Sequence, residues 1–264
     1  MTAAQYVPGW VDLVGAHNVR DLGGLPAAGG TVRRRVLLRG DNLDALTAED
    51  IAVLGEDVAL RGVVDLRAPF ESPRAAEWFP RLGITWLHEP LADLTALSNA
   101  DALADQVRGD YSAMYALMLD NAGPGLARIL AFLVDGGHTP TLLHCAAGKD
   151  RTGITVAVLL SVAGVERSAI IADYLATGER LDRVRAALAR NPAYQHLMRR
   201  AAASGTDSGA DSPPRTPFKI DPRAIHGVLD VVEAAEGGVA GFLRSHGATA
   251  EQISGWQQLI IEPY

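Results

Sequence analysis

Residues 141–165 constrain this chain more than any other part of its sequence. Thr141-Leu142-Leu143-His144 is a short run fit for a buried strand. Residues 154–165 form the most apolar segment, closed off by Arg151 before it and Glu166 after it. A segment that short cannot span a bilayer and reads as a buried helix. Between strand and helix stands a compact turn, Cys145-Ala146-Ala147-Gly148-Lys149-Asp150-Arg151, which runs straight into Thr152-Gly153. Both flanks must be buried against other elements, so the turn is held at a defined place.

The residue types of that turn share one chemistry. Successive backbone N–H groups in such a loop can point inward as an anion nest, and the following helix adds its positive N-terminal dipole. Gly148 permits backbone angles that a side chain forbids. Arg151 offers a bidentate fork to two phosphate oxygens. The same positive field favours the thiolate of Cys145, the nucleophilic form of cysteine. A thiolate facing a bound phosphate monoester is placed for in-line attack on phosphorus.

Ala146, Ala147, Gly148, Lys149, Asp150 and Arg151 are therefore the expected phosphate-binding residues, and Cys145 the nucleophile. Thr152 is expected to donate its hydroxyl to the sulfur and ease its departure in a second step, and His144 to orient the loop through backbone contacts. A Walker-type loop is excluded, because Gly148-Lys149 is followed by Asp150 rather than Ser or Thr. A buried structural cysteine beside two solvated cations would not call for the whole string from His144 to Gly153.

Around this unit, residues 36–39, 62–66 and 84–88 read as buried strands. Thr47 opens a helix through Leu54, with Asp50 at the acid position of a capping box. Residues 94–107 are polar and weakly periodic, either a helical flap over a site or a surface insertion. Tyr111, Met114, Tyr115 and Met118, then Leu126, Ile129, Leu130 and Leu133 after Pro124, have helical spacing, and such a stripe is core packing. Asp135-Gly136-Gly137 ends that helix. The helix after the loop is expected to end near Gly164, and Ser168 to cap another through Leu175. Residues 203–217 read as a mobile loop. Residues 222–235, 239–245 and 250–261 read as amphipathic helices too short to fold alone, which pack back onto one domain spanning 1–264.

Composition narrows the function classes. With 48% hydrophobic and 21% charged residues, the chain has the make-up of a soluble globular protein with a sizeable core. A net charge of −7 argues against a nucleic-acid binder, which needs a basic surplus. No basic amphipathic face suggests a membrane-surface helix. Residues 1–10 have neither a basic region nor an apolar one, so no secretory signal is legible. Cys145 is the single cysteine, which excludes an intrachain disulfide and fits a reducing compartment. Cytoplasmic residence is the default expectation, with export lacking a classical signal as the alternative.

The string His-Cys-x-Ala-Gly-Lys-Asp-Arg-Thr-Gly at residues 144–153 resembles the signature of bacterial tyrosine phosphatases of the protein-tyrosine phosphatase superfamily. It is similar to the group of lipid and tyrosine phosphatases typified by mycobacterial phosphatase B. Asn18-Val19-Arg20-Asp21-Leu22-Gly23-Gly24 resembles the family's N-terminal motif and Val64-Asp65-Leu66-Arg67 its central strand. Segments 237–243 and 248–259 resemble its C-terminal helices. The resemblance covers nearly the whole chain, but only the catalytic loop is highly specific. It implies an α/β fold with a protein-tyrosine-phosphatase-like, mostly parallel central sheet flanked by helices and a helical C-terminal extension. It also implies no metal, no cofactor, and activity on phosphotyrosine, extending to phosphoserine, phosphothreonine or phosphoinositides. The partners would be a phosphorylated protein or phosphoinositide substrate, with no nucleic acid and no integral membrane association.

The leaving oxygen needs a proton, so an aspartate within reach is expected. Three candidates stand open. Asp150 lies in the loop between two cations, and the resembling group carries an aspartate implicated in catalysis at the matching position. Asp65 ends a predicted parallel strand, at the edge where α/β sites collect. Asp93 follows Pro90-Leu91 after another strand, where a flap carries the acid in many relatives of the wider superfamily.

Arg20 and Asp21 either brace the loop from below or form a structural ion pair, while Arg39 and Arg67 read as structural or solvated strand-end arginines. Lys149 either holds a second phosphate of an inositol lipid or raises affinity for any monoester. Ala146, standing where a second lysine would be, weakens the first of these. Two other classes remain in view. A catalytically silent phosphate-binding module is disfavoured by the intact Cys145 and Arg151. A rhodanese-like sulfur transferase would not ordinarily carry Gly-Lys-Asp-Arg-Thr-Gly in its loop.

Overall fold

Leucine and valine on both faces suit a strand covered on two sides, as parallel strands are. The central strands here are of that kind, and they place the Cys145–Arg151 loop. The computed structural model describes residues 7–71, 79–91, 111–195 and 219–264. The first strands are β1 (Gly9–Trp10), β2 (Arg20–Asp21), β3 (Pro26–Ala27), β4 (Gly30–Val32) and β5 (Leu37–Gly40). Helix α1 (Ala48–Ala52), β6 (Gly62–Asp65), β7 (Thr85–His88), the long α2 (Tyr111–Asp135) and β8 (Thr141–His144) come after them. Next are α3 (Asp150–Val162), α4 (Arg167–Ala176) and α5 (Leu181–Arg190). The chain closes with α6 (Pro222–Ala234), α7 (Gly238–Ser245), α8 (Ala250–Ile260) and β9 (Ile261–Pro263).

The main sheet has the order β1-β2-β5-β8-β6-β7, with β5, β8, β6 and β7 parallel and the two short strands antiparallel at one edge. This is the expected α/β architecture, a mostly parallel sheet flanked by helices. Gly40, His144, Asp65 and His88 end their strands in register. The turns that leave these four strand ends share one carboxyl edge, the place where ligands bind in such sheets. A small second sheet, β3-β4-β9, ties the C-terminal strand to the N-terminal hairpin, with Thr31 opposite Glu262.

Alternation along the strands divides the core in two. Leu37, Val64 and Leu143 face the larger cluster, which runs from Leu22 to Ile260, while Leu38, Val63 and Leu142 face a smaller one with Leu54, Phe79 and Ile84. Helix α3 is buried at every residue except Asp150 and Ser161, as its unbroken apolar sequence requires. Helix α2 is long and apolar enough to cross a bilayer by length and composition. Yet Tyr115, Met118, Leu119, Leu126, Ile129, Leu130 and Leu133 are all buried in the protein core, as the stripe predicts. Pro124 lies inside this helix rather than ending it.

Several expectations need adjustment. The Thr47–Asp50 capping box is present, but the α-helix gives way at Val53 to a π turn through Asp57. Helix α4 begins at Arg167 after Glu166, which makes no side-chain cap, so Ser168 sits within the first turn and is not the cap. Helix α5 was not anticipated, although its buried Leu181, Val184 and Leu188 keep a helical interval. Segments 94–107 and 203–217 lie outside the described residues.

The C-terminal helices are part of the core rather than an appendage. Trp256 is fully buried and its indole N–H donates to the Leu159 carbonyl of α3 at 2.9 Å. Trp256→Ala is expected to destabilise the whole fold by about 3–5 kcal/mol, read as a lower midpoint in urea unfolding monitored on both secondary structure and activity.

Candidate active site

Cys145 leaves the central strand at the carboxyl edge, and the loop after it is held by its carbonyl groups. The Asn42 N–H donates to the Ala146 carbonyl at 3.1 Å. Asn18 Nδ2 donates to the carbonyls of Ala147 and Gly148 at 3.0 and 3.3 Å, and Arg39 Nη2 to that of Gly148 at 2.6 Å. In a planar trans peptide the C=O and the next N–H point in opposite directions. Three outward carbonyls therefore turn the N–H groups of Ala147, Gly148 and Lys149 toward the loop's interior, which makes the anion nest. Gly148 has φ of 64°, and a Cβ there would sit 2.5 Å from the Gly40 carbonyl oxygen. Only glycine fits.

A buried charge cluster carries this arrangement. Asp173 of α4 accepts from Arg20 Nε at 2.7 Å and from Arg39 Nη1 at 2.6 Å, with all three side chains out of solvent. Arg20 Nη1 in turn donates to Asn18 Oδ1 at 2.6 Å. Burial works to raise the Asp173 pKa, but the two guanidinium groups outweigh it and hold the carboxyl below the usual carboxylate range. Arg20 thus braces the loop from below through Asn18. Asp21 does not: it accepts from the N–H groups of Gly23 and Arg35 and shapes the neighbouring turn. Asp41 accepts from the N–H groups of His17 and Asn18. Burial pushes its pKa up to about 6 against those donors.

Arg151 stands in the first turn of α3, and Glu71 clamps it. Nη1 and Nη2 meet the two carboxylate oxygens at 2.5 and 2.9 Å, and Nη1 also reaches the Leu66 carbonyl at 3.3 Å. Among the described residues its Nε–H and second Nη2–H have no partner, which leaves one edge of the fork in the geometry that a bidentate acceptor needs. Glu71 is buried in a short turn after β6 and was not anticipated from the sequence. The only sequence cue is an acid in a proline turn just beyond the predicted strand.

The other candidate residues are spread across different roles. Asp65 is fully buried and bonded to Arg67 at 2.8–3.2 Å, and Arg67 also grips Asn42 and Asp44. Burial works to raise the Asp65 pKa, but the charge of His144 where it is protonated, and the hydrogen bonds and charge of Arg67, outweigh it and hold the carboxyl well below the usual range. Such a carboxylate is a poor proton donor and a good brace for the edge of the sheet. His144 Nε2 lies 3.7 Å from Asp65, and burial lowers the imidazole to about 4, leaving it neutral at physiological pH. Thr152 is fully buried, and its hydroxyl has no hydrogen-bond partner among the described residues. Asp93 lies outside the described residues.

Asp150 is the partly exposed acid of the loop, with 31% of its side chain accessible. Tyr115 donates to its Oδ1 at 2.8 Å, and Lys149 Nζ stands 3.3 Å from the same oxygen. Lys149 also donates to the Lys219 carbonyl and is buried. Cys145 and Arg151 are buried too, under a small cluster in which Tyr194, Val184 and Leu188 pack with Ala147 and Ala146. The Tyr194 hydroxyl faces Glu71, Arg67 and Arg151, and its burial first, then Glu71, raises its pKa.

A cysteine at the carboxyl edge of a mostly parallel α/β sheet, followed by a loop with outward-held carbonyls and a clamped arginine, characterises a protein-tyrosine-phosphatase-like fold. The family model described as "tyrosine phosphatase family" matches residues 11–262, and the chain belongs to that family. A Cupriavidus necator protein named as a tyrosine-protein phosphatase is 38% identical over 172 residues, 62% of this chain and 61% of that one. The triple specificity protein phosphatase PtpB of Mycobacterium tuberculosis is 42% identical over 67 residues, 25% of this chain and 24% of its own length. A Nostoc commune tyrosine-protein phosphatase is 27% identical over 56% of this chain and 47% of that protein. The chain thus spans less than two thirds of the length of each of these curated relatives.

Removing the charge that clamps Arg151 should loosen the fork. A charged hydrogen bond contributes about 1.5–3 kcal/mol, so Glu71→Gln is expected to weaken orthovanadate inhibition and lower kcat/KM by about 10- to 100-fold. Inhibition constants and steady-state kinetics on an aryl phosphate measure both.

Proposed function

We propose that the protein hydrolyses phosphate monoesters, phosphotyrosine first among them, through a phosphocysteine intermediate. The observation that carries this reading is the loop itself: a lone cysteine beneath three inward N–H groups, with the free edge of Arg151 beside it. In the first step the Cys145 thiolate attacks phosphorus in line, the P–O ester bond breaks, and the leaving oxygen takes a proton from Asp150. In the second step water attacks phosphorus, its proton passes to the Asp150 carboxylate, and the P–S bond breaks to return the thiolate. The unpartnered Thr152 hydroxyl is a donor available to that departing sulfur. Arg151 holds two non-bridging oxygens throughout, where charge is largest.

The choice of Asp150 as general acid rests on its partial exposure at the loop, set against the buried, arginine-bound Asp65. Lys149 is engaged by the Lys219 carbonyl and by Asp150, so a second phosphate must compete for it. That supports simple monoesters over highly phosphorylated lipids. The "triple specificity" in the name of the mycobacterial relative supports a range beyond phosphotyrosine. We place the chain in a reducing compartment on its single cysteine. We also take residues 1–264 as one phosphatase domain, because the C-terminal helices share the core that supports the loop.

Two variants test the chemistry. Cys145→Ser is expected to reduce phosphate release from an aryl phosphate to background while phosphopeptide binding persists; release that continues would remove the covalent step. Asp150→Asn should cost about 10²-fold or more on phenyl phosphate and much less on p-nitrophenyl phosphate, whose leaving group needs no proton. An equal loss on both esters would take the acid's role away from Asp150.

A further inference from the structure

Two tyrosines from different helices converge on the acid of the loop. Tyr115 of α2 and Tyr174 of α4 are buried in the core, their rings edge to face with centroids 6.2 Å apart. Their hydroxyl oxygens are 2.8 Å apart, and Tyr115 also donates to Asp150 Oδ1 at 2.8 Å. A tyrosine hydroxyl has one proton to give. Tyr115 gives its own to Asp150, so Tyr174 must donate to Tyr115. The chain of donation runs Tyr174 to Tyr115 to Asp150.

Packing alone does not explain these hydroxyls. Phenylalanine would fill the same apolar space without the cost of burying two polar groups. Burial and then the Asp150 carboxylate push both phenols above the ordinary tyrosine range, so both keep their protons at any working pH. The seat is also tight. A Cβ on Gly153 would lie 3.1 and 3.2 Å from the Tyr174 ring, so that ring rests on the backbone of the turn carrying Asp150 and Arg151. One turn of α4 therefore grips the loop twice, through Asp173 on the arginines beneath it and Tyr174 on the acid's side.

Among the described residues, the contacts on Asp150 fall on one oxygen: both Tyr115 and Lys149 approach Oδ1. Donors on one carboxyl oxygen direct the acidic proton to the other, so Oδ2 is the oxygen that carries and delivers it. The charged and titratable groups facing this cluster are Lys149 on the loop, Arg39 of β5, and Asp221 just before α6, the last two through Tyr174.

We propose that Tyr115, backed by Tyr174, is a positioning residue that pins Asp150 by Oδ1 and presents Oδ2 to the leaving oxygen. This rests on the reading of Asp150 as general acid. Removing the hydroxyl frees the carboxyl to rotate away from the leaving oxygen.

The test compares Tyr115→Phe and Tyr174→Phe, alone and with Asp150→Asn, on phenyl phosphate and p-nitrophenyl phosphate. Tyr115→Phe is expected to lower kcat on phenyl phosphate by on the order of 10-fold, the loss of one hydrogen bond to a charged group. It should spare p-nitrophenyl phosphate, whose leaving group needs no proton. Tyr174→Phe should show the same pattern more weakly, and it carries the test alone if Tyr115→Phe does not fold. Neither substitution should add to the loss in Asp150→Asn, and orthovanadate inhibition should stay at the parent value. If the tyrosine variants slow both esters equally, while Asp150→Asn remains leaving-group sensitive, the pair only fills space and the proposal falls alone. If Asp150→Asn is itself insensitive to the leaving group, the acid assignment falls and the proposal with it.

Discussion

Asp173 sits between Arg20 and Arg39 in the protein interior, and the catalytic loop rests on that triad. Buried ions lose several kcal/mol of hydration each, so such a group persists only where every member finds partners. Here nearly all donors do. Arg20 spends further donors on Asn18, the Asp173 carbonyl and Thr177, and Arg39 spends one on Gly148, while Arg39 Nε is buried with no partner among the described residues. Deleting a single member of such a cluster typically costs about 3–5 kcal/mol, because the others are left charged and unpaired. The triad also carries one net positive charge directly under the Cys145–Arg151 loop. Structural support for the loop and a positive field beneath it come from the same side chains.

The far end of the loop obeys the same logic with different partners. Arg151 meets Glu71, and the adjacent Arg67 meets Asp65 and Asp44. Each arginine is held by a carboxylate, so both enter the proposed reaction with their side chains already fixed. Such preorganisation is what makes fixed charges effective on a transition state. Tyr194 and the end of α5 pack against Ala146 and Ala147 of the loop, and low-dielectric surroundings of this kind strengthen charge interactions.

Much of the fold was legible. The strands at 37–40, 62–65, 85–88 and 141–144 and the long helices came within a residue or two of their predicted spans, because apolar period and length are local signals. The two-residue strands of the N-terminal edge and the closing strand β9 were not legible, since so few residues show no alternation. Ser168 looked like a cap by residue type, but a cap depends on where the backbone leaves the helix, which Glu166 decides.

The sequence by itself determined the reacting string. Strand, cysteine, glycine, arginine and helix start all lie within residues 141–153, and an anion nest is made by consecutive peptides of one segment. Only the tertiary structure decided what holds that string in shape. Glu71 reaches Arg151 across 80 residues, Tyr115 reaches Asp150 across 35, and Asp173 reaches Arg20 across 153. Such partners leave no mark in the sequence, because a carboxylate or a phenol has no spacing rule until the sheet's register and the helix packing bring it to its cation or its acid.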